Sequence, residues 1–196
     1  LQVWLNAIGG KITDVEANGQ CGRLAIYAAA HNVENDVLDM TPKTIQEATM
    51  WKRKILSVLL AKINPLVEAK VIDLATEQGT SYSSSTTPTT THSNADPLLM
   101  YWDSERRRSV EIPVPQSCWV NMTILHGATL FLREPVYVLD VHQDGGTYLG
   151  MYAYRKVDRH GKAEDIPFFA NIHADKGLQL LETLRGKGVR PVMIVL

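Results

Sequence analysis

Cysteine is almost absent: Cys21 and Cys118 are the only two in 196 residues. That excludes a disulfide framework and a cysteine-built zinc site, and a reducing, cytoplasmic or intracellular setting is the default expectation. No metal site is predicted, and no cofactor. Long apolar runs are missing too. None approaches the roughly 20 residues that span a bilayer, so no membrane partner is expected. A surplus of either charge is lacking, with 20 Lys and Arg against 21 Asp and Glu. Nothing in that balance calls for nucleic acid. The first residue is not methionine, nothing near it looks like a signal peptide, and the sequence stops on an apolar run, Pro191–Leu196. It reads as a fragment of a longer protein. What is present is the composition of an ordinary globular chain, 45% hydrophobic and 21% charged, long enough for one domain with a full core. A monomer is expected.

The richest stretch is Glu16–Ala30. Asn18-Gly19-Gln20 reads as a turn, because Asn and Gly tolerate positive φ. Leu24, Tyr27, Ala28 and His31 then recur at helical spacing in an alanine-rich run. Cys21 therefore falls at or just before the first turn of a helix predicted to reach about Asn35. The unpaired N–H groups and the dipole of a helix start favour a thiolate there, and the same groups can hold an oxyanion. The plain alternative is a small buried hydrophobe, the commonest fate of a free cysteine.

The remaining pattern is helices first, strands after. Leu1–Gly10 suits a short helix ending at glycine, and Lys11–Val15 a short extended lead-in. Thr41-Pro42 opens a helix with a broad apolar face (Ile45, Ala48, Trp51, Ile55, Leu59), with Lys52-Arg53-Lys54 taken as its solvated side. Pro65 is expected to start or kink a further helix over Leu66–Glu77. Residues 79–96, rich in Ser and Thr, read as a disordered surface insertion. Pro97–Trp102 is a short apolar piece before the charged Glu105–Arg108. Ser117–Leu132 reads as a helix. Pro135–Val141, Thr147–Val157, Ile166–Ile172 and Arg190–Leu196 read as strands, with a short helix over Gly177–Arg185. Such an order predicts an α+β domain spanning 1–196, its helices packed around a small, mostly C-terminal sheet.

Three features together resemble the ovarian-tumour (OTU) family of papain-like cysteine proteases. Asn18-Gly19-Gln20-Cys21, followed by Leu24-Ala25-Ile26-Tyr27-Ala28, is similar to that family's Asp-Gly-Asn-Cys motif and its helix. Trp119–Leu132 leading into Glu134-Pro135-Val136-Tyr137-Val138 is similar to its Trp-initiated helix and Pro-Ile-x-Val strand. The order of nucleophile helix, helical middle, Trp helix and strands also agrees. Asn18 and Gln20 stand where the family has Asp and Asn, and Val120-Asn121-Met122 replaces its glycine pair and acidic residue.

The resemblance implies a papain-like fold and a deubiquitinase-like isopeptidase. Cys21 would attack the carbonyl of the C-terminal glycine of ubiquitin or a ubiquitin-like protein, with Asn18, Gly19 and Cys21 around the oxyanion. The family's base follows its last apolar strand, which here is Arg190–Leu196, so the expected histidine lies beyond Leu196. Inside the chain the best candidate base is His173, with Asp175 nearby. His31 is ten residues past Cys21 on one helix, about 15 Å along the axis. His126 reads as a packing residue, His142 and His160 as loop residues, and His92 falls in the Ser/Thr-rich insertion. Cys118 reads as structural. The alternative reading is a catalytically inactive OTU-like module that binds ubiquitin or another protein.

Overall fold

In the computed structural model of the chain, residues 1–68, 72, 96–142, 146–156, 164, 167 and 169–196 are described. The helices are α1 (Gln2–Ile8), α2 (Cys21–Ala30), α3 (Pro42–Glu68), α4 (Asp96–Arg107), α5 (Met122–Leu132) and α6 (Ala174–Gly186). The strands are β1 (Val136–Val141), β2 (Thr147–Tyr152), β3 (Phe169–Ile172) and β4 (Val192–Val195), in the order β3-β2-β1-β4. Neighbours are antiparallel except β1 and β4, which run parallel. Mixed helix and strand with a late sheet is what the α+β expectation anticipated.

Strand β1 reads Val-Tyr-Val-Leu because it is buried on both faces. Val136 and Val138 point into a core shared with Ile26 of α2, Ile55 of α3, Leu125 of α5 and Val192 and Ile194 of β4. Tyr137 and Leu139 point the other way, into a core with Trp4 and Ala7 of α1, Leu149 of β2 and Leu181 of α6. The sheet is thus a middle layer. Helices α2, α3 and α5 cover one face and α1 and α6 the other. A further cluster, Leu56, Leu59, Leu66, Leu98, Trp102 and Ile124, fixes α3 and α4 against α5.

Several local expectations need correction. Helix α2 stops at Ala30, five residues early, because Asn32 turns into the left-handed region and the Val33 N–H closes on the Ala28 carbonyl. Pro65 does not break α3, a helix of 27 residues. It sits in the last turn, where it forfeits the bond to the Ala61 carbonyl, and the helix continues with Ile63 and Leu66 buried on either side of it. Lys52 is not on a solvated side but 2% exposed. The apolar piece at Pro97–Trp102 and the charged Glu105–Arg108 that follows it are largely one helix, α4. The helix expected over Ser117–Leu132 begins only at Met122, with Asn121 as its N-cap; before it stands a single 3-10 turn, Gln116–Cys118. Residues 69–71 and 73–95, with most of the expected Leu66–Glu77 helix and His92, and residues 157–163, with His160, lie outside the described residues.

Candidate functional site

The Cys21 turn is built by local polar bonds. Asn18 Oδ1 accepts from the Gln20 N–H at 2.8 Å, an Asx turn that aims the chain into α2. Gly19 has φ +81°, and a Cβ there would run into the Val114 carbonyl oxygen and Trp119 Nε1. Only glycine fits, since the position demands both the left-handed region and an empty flank. Cys21 is then the first residue of α2, and partly exposed. Among the described residues no hydrogen bond occupies the N–H groups of Cys21 and Gly22, as the first turn of a helix requires.

The turn is tied to the segment before α5. Asn18 Nδ2 donates to the Val110 carbonyl at 3.0 Å, and the Val114 N–H donates to the Asn18 carbonyl at 3.1 Å. Asn18 therefore serves the turn through both ends of its amide. Gln20 is fully buried and donates to the Ile112 carbonyl at 3.2 Å. Arg23 Nη1 reaches Gln20 Oε1 at 3.2 Å and the Cys118 carbonyl at 2.9 Å.

Behind that seam lies a buried charge cluster. Glu105 pairs with Arg108 at 2.9 Å and faces Lys52 at 3.9 Å, and the Lys52 and Glu105 side chains are 1% and 2% exposed. Burial, reinforced by Arg23, pulls Lys52 down to about 7, and Glu105 opposes that only in part. Burial also lowers the Arg23 guanidinium from its ordinary value. Burial and a hydrogen bond with Cys118 push Tyr101 up. These residues were not singled out from sequence. A signal existed: Arg23 interrupts an otherwise apolar helix.

Strand and helix directions locate the turn on the sheet. Helix α5 passes into β1 through Arg133 in the left-handed region, so its start lies at the C-terminal end of β1. Trp119 and Val120, just before α5, abut Gly19 and Gly22. Arg190, ahead of β4, pairs with Glu34, beyond α2, at 3.7 Å. Helix α2 thus runs opposite to β4, and Cys21 sits at the end of the sheet where β1 and β4 finish.

The histidines divide clearly. His31 caps α2 at the far end from Cys21, its Nδ1 2.8 Å from the Tyr27 carbonyl. His126 is fully buried in α5, and burial first, then Arg155, draws it down to about 4, so it is neutral and inaccessible. His173 precedes α6 at the end of β3, the edge strand opposite β4. Three strand spacings, about 14 Å, separate those edges, so the fold does not bring His173 to Cys21. His142 directly follows β1, and its Nε2 lies 3.3 Å from Asp140 Oδ2. Among the described residues no hydrogen bond or ion pair joins Cys21 to a histidine.

A groove of about 810 Å³ runs along the outer side of β4, past Ile8, Val15, Ala29, Val33 and Met193, and does not include Cys21. Among the described residues no group of His, Cys, Asp and Glu could hold a metal ion, and no helix is long and apolar enough to cross a membrane. No protein family, curated protein or solved structure matches this chain.

Proposed function

We propose that the chain is the catalytic part of an OTU-like cysteine isopeptidase, with Cys21 as nucleophile and ubiquitin or a ubiquitin-like protein as the modifier released. The observation that carries this reading is the Cys21 turn itself: a partly exposed thiol on the first residue of α2, beside free N–H groups, on a rigid glycine turn. Cys21 attacks the carbonyl carbon of the modifier's terminal glycine. The Cys21 and Gly22 N–H groups receive the oxyanion, each such donor contributing about 3 kcal/mol. Asn18 shapes the turn. A histidine takes the thiol proton and returns it to the departing lysine amine. Strand β4 finishes at the Cys21 end of the sheet, and His173 stands on the opposite edge, at the end of β3.

The test is covalent trapping. Ubiquitin carrying a C-terminal electrophile should label the chain extended past Leu196, and Cys21→Ala should abolish the adduct. Labelling that survives Cys21→Ala would remove the proposal. A second reading, a modifier-binding module without turnover, is favoured by the lack of any histidine joined to Cys21 among the described residues. Saturable ubiquitin binding by the extended chain, with neither adduct nor cleavage, would select it.

A further inference from the structure

The first turn of α2 carries a cation where helix and solvent both oppose one. Arg23 is the third residue of the helix, beside the positive end of its dipole, and only 5% exposed. Glu105 is the carboxylate that faces it, and Glu105 also answers Arg108 and Lys52. The buried Nε of Arg23 makes no hydrogen bond among the described residues. Buried ion pairs seldom repay their desolvation, so an apolar side chain of similar size would serve stability at least as well. Local rules are broken in this way at functional sites.

The bonds that Arg23 does make point to its use. Its Nη1 donates to Gln20 Oε1 at 3.2 Å and to the Cys118 carbonyl at 2.9 Å. Gln20 passes the link on, its Nε2 donating to the Ile112 carbonyl at 3.2 Å. One relay thus ties both ends of segment 112–118 to the residues that flank Cys21 and Gly22. Directly after that segment, Trp119 stands against Gly19 and Val120 against Gly22. A Cβ on Gly22 would lie 2.8 Å from the Val120 Cβ.

We propose that Arg23, with Gln20 as its partner, is a positioning residue for the reaction at Cys21: it sets the spacing between the Cys21 and Gly22 N–H groups and the wall formed by Trp119 and Val120. The inference rests on the nucleophile reading above. Arg23 acts through Gln20 and Cys118. An oxyanion donor works over a narrow range of distance, and a displacement of about 1 Å costs on the order of 100-fold in rate. Loss of the relay therefore slows acyl transfer without removing the thiol or the fold.

The experiment treats the chain extended past Leu196 with ubiquitin carrying a C-terminal electrophile and, separately, with iodoacetamide, a probe too small to need seating. Mass spectrometry reads the rate of labelling at Cys21, and circular dichroism the melting temperature. Arg23→Met should slow the saturating rate of ubiquitin labelling roughly 10–100-fold, with its half-saturating concentration little changed. Iodoacetamide labelling should stay close to that of the unaltered chain, and the melting temperature should hold or rise. Arg23→Lys keeps the charge without the fork and should recover only part of the rate. Gln20→Leu should show a similar loss, and the double variant no more than the larger single loss, because the two residues act as one relay. If Arg23→Met does not fold, Arg23→Lys and Gln20→Leu decide the matter. Unchanged ubiquitin labelling in the Arg23 and Gln20 variants, or equal slowing with both reagents, would overturn the positioning role and leave the nucleophile standing. Ubiquitin labelling of the unaltered chain no faster than with iodoacetamide would overturn both.

Discussion

At the level of single residues, Gly19 and Lys52 each have a consequence that can be measured. Gly19→Ala puts a Cβ against Val114 and Trp119 at a positive φ. We expect a loss of about 1–3 kcal/mol in unfolding stability, and slower alkylation of Cys21 at temperatures where the fold persists. Chemical denaturation and timed alkylation check the two effects. Lys52 gives a pH signature. Its folded value of about 7 lies below the ordinary 10.5, so between those values the unfolded chain holds the extra proton. Stability should therefore rise with pH across that window, and be weakest below it. Lys52→Met should flatten the rise, measured as melting temperature against pH for both proteins. A parallel rise in the variant would show that another group is responsible. The burial of Lys52 is not visible in sequence, where it is one member of a basic triplet and its neighbours Arg53 and Lys54 do face water.

Elements were legible in proportion to how local their causes are. Helix α1 ends at Gly9 in the left-handed conformation, as its glycines suggest. Strands β1 and β2 begin within a residue of expectation, because β-branched and aromatic residues and a turn mark them without outside help. Pro65 misled because packing of Ile63 and Leu66 outweighs a breaker in a last turn. The charged Glu105–Arg108 hides the end of a helix whose apolar side, Leu98 and Trp102, meets α3. In the site, the turn and the helix-start cysteine were readable from Asn18, Gly19 and the alanine run. The seam through Gln20, Arg23, Val110 and Ile112 was not, since its partners lie about ninety residues apart. One cap belongs here too. The Asn121 side chain accepts the Ile124 N–H at 3.0 Å. Asn121→Ala should cost about 1 kcal/mol, read by denaturant titration, and loosen the Trp119 side of the Cys21 turn.

For the molecule as a whole, the sheet joins distant parts of the chain. Strand β1 takes β4 as its parallel neighbour, pairing Val136 with Val192, and α2 rests on β4. Removing residues 189–196 should therefore abolish the cooperative thermal transition, instead of trimming an end, because β1 loses a neighbour and α2 its seat. Circular dichroism melting decides this. Pairings so far apart in sequence also fold slowly. The timing of synthesis follows. When a ribosome makes this chain, α2 and its cysteine emerge early but cannot be seated until β4 has left the exit tunnel. The thiol thus passes through an immature stage, held near its reactive turn but without the sheet beneath it. The order of the strands thus sets when the Cys21 turn gains its support: last, with the final strand.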